Sequence, residues 1–160
     1  MTVTPPSIFK NPVHFLAFGF GAGLSPKAPG TMGTLVAVPL YLVLIHGLNV
    51  YAYLGVIIAA FILGIYLCGR TAGDLGVHDH GGIVWDEFVG FWITMIMVPP
   101  TWYWIIVGFV LFRLFDILKP FPIGLLDKKV QGGFGIMLDD VIAGLYAGVL
   151  LQIAVYFTGF

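Results

Sequence analysis

Residues 88–112 read FVGFWITMIMVPPTWYWIIVGFVLF and carry no charged side chain. As a single helix this run is long enough to cross a hydrocarbon core of ~30 Å at ~1.5 Å per residue. Pro99-Pro100 would break that helix near its middle, because proline offers no N–H and its ring clashes with the preceding turn. The other reading is a hairpin turning at Pro99-Pro100-Thr101, with arms at about 84–98 and 102–118. The hairpin is preferred: its turn has no charge to hold it in a hydrated compartment, and it returns the chain to the side it left.

Working outward, residues 28–69 and 141–160 are also free of Asp, Glu, Lys and Arg. The first run is too long for one span and breaks at His46-Gly47-Leu48-Asn49, which predicts helices over about 33–46 and 50–69. The last run predicts one more pass over 141–158. The fold class is therefore all-α, a polytopic helical membrane bundle of about five passes, or four if 88–112 is one helix. Composition agrees. The 160 residues are 59% hydrophobic and only 9% charged, against about 25% charge in soluble domains. Mean hydropathy is +1.02. Disorder is excluded by the same figures, and a net charge of −1 argues against nucleic acid as a partner. Cys68, the single cysteine, cannot form an internal disulfide, so the redox compartment is unreadable.

The length predicts one membrane-embedded domain over 1–160, in which residues 1–32 form an N-terminal interfacial segment and a Gly/Pro loop. Lys10 followed by the apolar stretch Val13–Leu24 loosely mimics a signal sequence. Its glycines and the Ser25-Pro26-Lys27-Ala28-Pro29-Gly30 loop favour an uncleaved interfacial or re-entrant segment. Small residues recur four apart at Ala60 and Gly64, Gly69 and Gly73, and Gly144 and Gly148, a spacing that lets helix backbones approach closely. Packing within the bundle is the reading favoured over dimerisation, and the oligomeric state is left open.

The charges fall in three islands: residues 1–27, 70–87 and 113–140. With the hairpin in place all three share one face. All seven Lys and Arg then lie on that side, and the positive-inside rule makes it cytoplasmic. Asp86-Glu87 sits in the otherwise apolar run Ile83–Phe91. Asp139-Asp140 is expected at the opening of the last helix, where it reads either as an N-cap or as a ligand pair. Carboxylates alone at an aqueous interface suit a hard cation such as Mg²⁺ or Ca²⁺. His78-Asp79-His80 adds two imidazoles, but its spacing fits a loop better than a helix face, so loop structuring or proton transfer competes with ligation.

The cations are placed to meet an anion. Arg113, Asp116 and Lys119 follow i, i+3, i+6 spacing along one face of a helix end, although Arg113 and Asp116 also read as a simple pair. The Gly21–Thr34 loop is not a nucleotide-binding P-loop. Its glycines, hydroxyls and Lys27, set before a helix N-terminus, still suit a phosphate. Carboxylates for a divalent cation, cations for an anion and a bilayer setting together suggest metal-assisted phosphoryl transfer on a phospholipid headgroup.

Four segments carry a resemblance: Gly19–Pro26 with Pro29–Leu35; Gly76–Phe88, which reads GVHDHGGIVWDEF; Phe112–Ile123, FRLFDILKPFPI; and Gly132–Asp140, GGFGIMLDD. Over about residues 12–158 the chain resembles the phosphatidylglycerophosphatase A family of bacterial lipid phosphatases. The resemblance implies a Mg²⁺-dependent hydrolase of the cytoplasmic (inner) membrane, its active site facing the cytoplasm. Its phospholipid substrate would be phosphatidylglycerophosphate, whose terminal phosphate is removed to give phosphatidylglycerol.

Mapped onto these motifs, Asp86, Glu87, Asp139 and Asp140 are the expected metal ligands, with Asp86 or Asp140 also serving catalysis as base. Lys27, Thr31, Arg113 and Lys119 are expected to bind the phosphate. His78, Asp79 and His80 are expected to line the site and to protonate the leaving alkoxide. A small transporter and a non-enzymatic membrane scaffold are the alternatives. The first needs charges near mid-membrane, where this sequence has none.

Overall fold

The computed structural model describes residues 5–159; Met1–Thr4 and Phe160, included in the expected 1–160 domain, lie outside the described residues. The described chain is helical throughout. Two short helices, α1 (Pro5–Lys10) and α2 (Pro12–Ala17), precede a 3₁₀ turn at Ala22–Leu24. Then come α3 (Pro29–Gly47), α4 (Val50–Leu75), α5 (Trp85–Thr94), α6 (Trp102–Leu118), α7 (Ile123–Lys129) and α8 (Gly132–Thr158). Three of them, α3, α4 and α8, are long and apolar enough to cross a membrane by length and composition. α6, at 17 residues, reaches about 25 Å at ~1.5 Å per residue.

Helix boundaries follow local chemistry. Pro29 opens α3 at a position where its missing N–H costs nothing. Asn49 caps α4, its side chain accepting from the Ala52 N–H at 2.9 Å, and Gly76 closes that helix in the left-handed conformation at φ 68°. Pro99-Pro100-Thr101 is non-helical and separates α5 from α6, so the expected hairpin is present.

Three boundaries differ from expectation. α4 runs on to Leu75, which places Arg70 and Asp74 on the helix. α5 is ten residues, about 15 Å, shorter than the arm expected over 84–98; a turn at 95–97 completes that arm. α8 starts at Gly132 rather than near 141. The Gly132–Gly135 run reads as a loop in sequence, but Gly133 serves packing. A Cβ on Gly133 would collide with the Ile65 carbonyl, and Gly69 lies against Gly133 itself. Asp139 and Asp140 therefore sit within α8 and not at its cap.

Every residue of α5 is buried, enclosed by α3, α4, α6 and α8. Three bonds join it to its neighbours' carbonyls and aromatics. Trp85 Nε1 donates to the Ala60 carbonyl at 3.0 Å, Trp92 Nε1 to that of Ala37 at 3.2 Å, and the Tyr53 hydroxyl to that of Trp92 at 2.6 Å. On α8 a Cβ at Gly144 would strike the Gly90 carbonyl, and one at Gly148 would touch the Ile93 and Thr94 carbonyls at 3.5 Å. The small-residue spacing on α8 is thus used inside the bundle.

These contacts make α5 parallel to α8 and antiparallel to α6. Gly90 faces both Asp140 and Phe112, and Gly108 faces Met95 and Leu151. The charged ends of α4, α6 and α8 meet at one end of the bundle, together with the N-termini of α3 and α5. The far end, where α3 turns into α4 and α5 into α6, has no formal charge. The N-terminal segment packs at the charged end: His14 Nε2 lies 3.0 Å from Asp74 Oδ2 and the Val84 N–H donates to the Ala17 carbonyl at 2.8 Å. With six residues each, α1 and α2 are too short to span.

In vesicles of known orientation, Lys128→Cys and Asp79→Cys should react with an impermeant maleimide from one side and Asn49→Cys from the other, while buried Cys68 stays silent. Labelling of positions 128 and 79 from opposite sides would overturn this arrangement.

Candidate active site

At the charged end, α5 begins with Asp86 and Glu87 in its first turn, and α8 presents Asp140 one turn before the glycine that touches α5. Ligand-type oxygens of Asp86, Glu87 and Asp140 lie within 4.8 Å of one another, and all three side chains are buried. They open on a cavity of about 200 Å³, lined also by Gly30, Asp79, His80, Gly81, Ile83, Arg113, Asp116, Lys119 and Asp139. Six carboxylates therefore face two cations. Charges of one sign ~4 Å apart repel by about 4 kcal/mol even at an effective dielectric of 20.

Arg113 meets part of that charge. Its Nη1 donates to Glu87 Oε2 at 2.8 Å and also pairs with Asp116. The Thr34 hydroxyl on α3 reaches the same Glu87 oxygen at 3.2 Å. Gly30 roofs this group, since a Cβ there would stand 2.7 Å from Glu87 Oε1 and 3.0 Å from the guanidinium. Asp86 and Asp140 receive no such cation. Asp140 Oδ2 is buried without a hydrogen-bond partner, as is Asp139 Oδ1. A buried carboxylate oxygen lacking a partner is costly unless something positive reaches it. An all-oxygen donor set with that demand fits a hard divalent cation.

Asp139 points elsewhere. Its Oδ2 lies 3.8 Å from the Lys119 ammonium, and Asp127 on α7 approaches the same ammonium at 3.2 Å. Partial burial pulls the Lys119 pKa down, but Asp127, Asp139 and Asp116 outweigh it and hold it above its ordinary value. Burial acts to raise Asp127; hydrogen bonding to Asp139 and Lys119 more than offsets this and leaves its pKa lowered. Asp79, at the cavity mouth, has a raised pKa: loss of hydration drives it up and Lys119 opposes. His80 Nδ1 accepts the Gly82 N–H at 2.9 Å. The neutral ring then carries its proton on Nε2.

The chain matches the family model described as Phosphatidylglycerophosphatase A over residues 15–155. It belongs to that family. A relative from Haemophilus influenzae named Phosphatidylglycerophosphatase A is 52% identical over 88% of this chain and 87% of its own. One of the same name from Escherichia coli is 49% identical over 94% and 85%. A Bacteroides thetaiotaomicron protein with the printed name "Putative phosphatidylinositol-3-phosphatase" is 39% identical over 88% and 92%. No solved structure matches the chain. As a member of the family the protein is a membrane-associated enzyme, a phosphoric monoester hydrolase, which removes the transporter and scaffold readings.

Of the residues expected from sequence, the cavity gathers Asp79, His80, Asp86, Glu87, Arg113, Lys119, Asp139 and Asp140. His78, Lys27 and Thr31 are not among its lining residues. Lys27 is exposed, its carbonyl accepting from the Ser25 hydroxyl, while Thr31 stands one residue beyond Gly30 in the first turn of α3. The capping alternative for Asp139-Asp140 falls with the early start of α8. Four contributors were missed as site residues: Gly30, Thr34, Asp116 and Asp127. Asp116 is marked in the sequence by its spacing from Arg113 and Lys119, a spacing that by itself indicates a pairing partner. Asp127 had no local signal.

Removing one member of a buried ion pair strands the other charge, at a cost of about 3–5 kcal/mol. Arg113→Met should therefore lower the thermal midpoint in detergent clearly, and Glu87→Gln added to it should recover part of the loss. Equal midpoints for the single and double variants would remove the Glu87–Arg113 pair as a support of the fold.

Proposed function

We propose that this protein hydrolyses the terminal phosphomonoester of phosphatidylglycerophosphate, with Mg²⁺, to phosphatidylglycerol and phosphate at the cytoplasmic face of the bacterial inner membrane. The observation that carries the reading is the buried trio Asp86, Glu87 and Asp140 beside Arg113 and Lys119 in one cavity, in a chain of this family. The substrate is supported by the names of the two most similar relatives above. The cytoplasmic orientation is supported by the gathering of the basic residues at one end.

Asp86, Glu87 and Asp140 are the residues that would hold Mg²⁺, which when bound polarises phosphoryl oxygens and lowers the pKa of a coordinated water. Arg113 and Lys119 hold the phosphoryl group by charge-assisted hydrogen bonds. Glu87 Oε2 is already taken by Arg113 and Thr34, so Asp86 and Asp140 are the carboxylates left to accept the proton of the attacking water. As water attacks phosphorus, the P–O bond to the glycerol breaks and its electron pair stays on the leaving oxygen. Asp79, which lines the cavity and whose pKa loss of hydration raises, is the acid that protonates that oxygen, and neutral His80 lines the same cavity and can donate a hydrogen bond to it. Ile83, buried and lining the cavity, keeps bulk water from part of its wall. The N-terminal segment and α7 lie at the charged end, where a headgroup would enter from the interface.

Phosphate release from phosphatidylglycerophosphate in mixed micelles should require Mg²⁺ and stop with EDTA. Asp86→Asn and Asp140→Asn should each lower kcat by about 10²–10⁴-fold, the usual worth of a general base. Full activity of either variant would defeat its assignment, and activity retained in EDTA would defeat the metal. Equal rates on phosphatidate and phosphatidylinositol 3-phosphate would keep the reaction class and remove the substrate claim.

A further inference from the structure

Lys119 occupies an unusual place. It ends α6 in the left-handed conformation, at φ 47° and ψ 59°, which disfavours a residue with a Cβ and which glycine would adopt freely. The chain then reverses through Pro120-Phe121-Pro122 into α7, whose Gly124 packs so closely that a Cβ there would come within 3.0 Å of the Lys119 carbonyl. That reversal brings Asp127 back to the Lys119 ammonium at 3.2 Å, beside Asp139 of α8, which lies 3.8 Å from the same ammonium.

We propose that Asp127 is the positioning residue for Lys119, holding its ammonium at the cavity rim so that one N–H is free for a phosphoryl oxygen. The proposal rests on the reading of the cavity as a phosphate site. An ammonium has three donors; Asp127 stands at hydrogen-bond distance, 3.2 Å, while Asp139 at 3.8 Å is a charge contact only, so donors remain for a phosphoryl oxygen. Without Asp127, Lys119 has Asp139 as its nearest carboxylate, and the ammonium swings toward α8 and away from the rim. Lysine's four-carbon stem is flexible enough to make that movement. As a stabilising contact alone the pair would be worth little, since Lys119 and Asp127 are each about a third exposed, at 31% and 32%. The geometry instead gives Asp127 a task that passes through Lys119, and α7 the task of delivering it.

The test is a double-mutant cycle on the full chain in detergent, read as affinity for inorganic phosphate by titration calorimetry and as KM for phosphatidylglycerophosphate. Lys119→Met and Asp127→Asn should each weaken phosphate affinity by about tenfold, and the double variant should be no weaker than Lys119→Met alone. Asp127→Glu should restore most of the affinity. KM should rise with these losses while kcat changes less. An additive double variant, or wild-type affinity in Asp127→Asn alongside a weakened Lys119→Met, would overturn the positioning role. Wild-type affinity in Lys119→Met would instead overturn Lys119 as a phosphate ligand, and the proposal with it. The calorimetric arm stays informative even if phosphatidylglycerophosphate proves not to be the substrate.

Discussion

Where Gly90 of α5 lies against Gly144 of α8, two backbones approach as only residues without a Cβ allow. The helices run parallel there, and Asp86 and Asp140 each stand four residues before the contacting glycine. Four residues is one helical turn, so the glycine contact sets the two carboxylates at one height on facing sides, and Glu87 beside them. A larger residue at either glycine would push the helices apart and open the 4.8 Å trio. Close packing of apolar helices is in this sense what assembles the polar site. The Trp85, Trp92 and Tyr53 bonds hold α5 along its length, so the trio sits on a short, fully enclosed helix and not on a loop.

The cost of such a cluster explains the rest of the charged end. Three buried carboxylates repel one another, and a low-dielectric surrounding strengthens the repulsion. Arg113, Thr34 and the close approach of α3 at Gly30 satisfy Glu87. Asp139 and Asp127 share Lys119. Asp140 Oδ2 is left over. Six carboxylates line the cavity against Arg113 and Lys119, so the cations that line it stop short of neutralising it.

Much of this was legible in the sequence. Charge-free runs and the Pro99-Pro100 turn located the long helices and the hairpin, because a bilayer tolerates neither scattered charge nor unpaired backbone. The islands located the charged end, and eight of the eleven expected site residues line one cavity. What was illegible depended on three dimensions. The start of α8 was misplaced because glycines that would end an isolated helix are, in a bundle, the residues that permit contact. Glu87's partner Thr34 is 53 positions away, and nothing local marks it. Asp127 becomes relevant only once the chain reverses after Lys119.

That the charges lie at one end follows from energetics as well as from function. A carboxylate at mid-membrane lacks water and is expensive; at a helix end it can be reached by an ion from solution. Asp86 and Glu87 occupy the first turn of α5, where the positive end of the helix dipole also favours them. Asp140 has no such help, being in the third turn of α8. Its Oδ2 is a buried oxygen that no hydrogen-bond donor among the described residues reaches. Charge gathered at the helix ends in this way lies where water and ions reach it, and none of it needs to cross the apolar middle of the bundle.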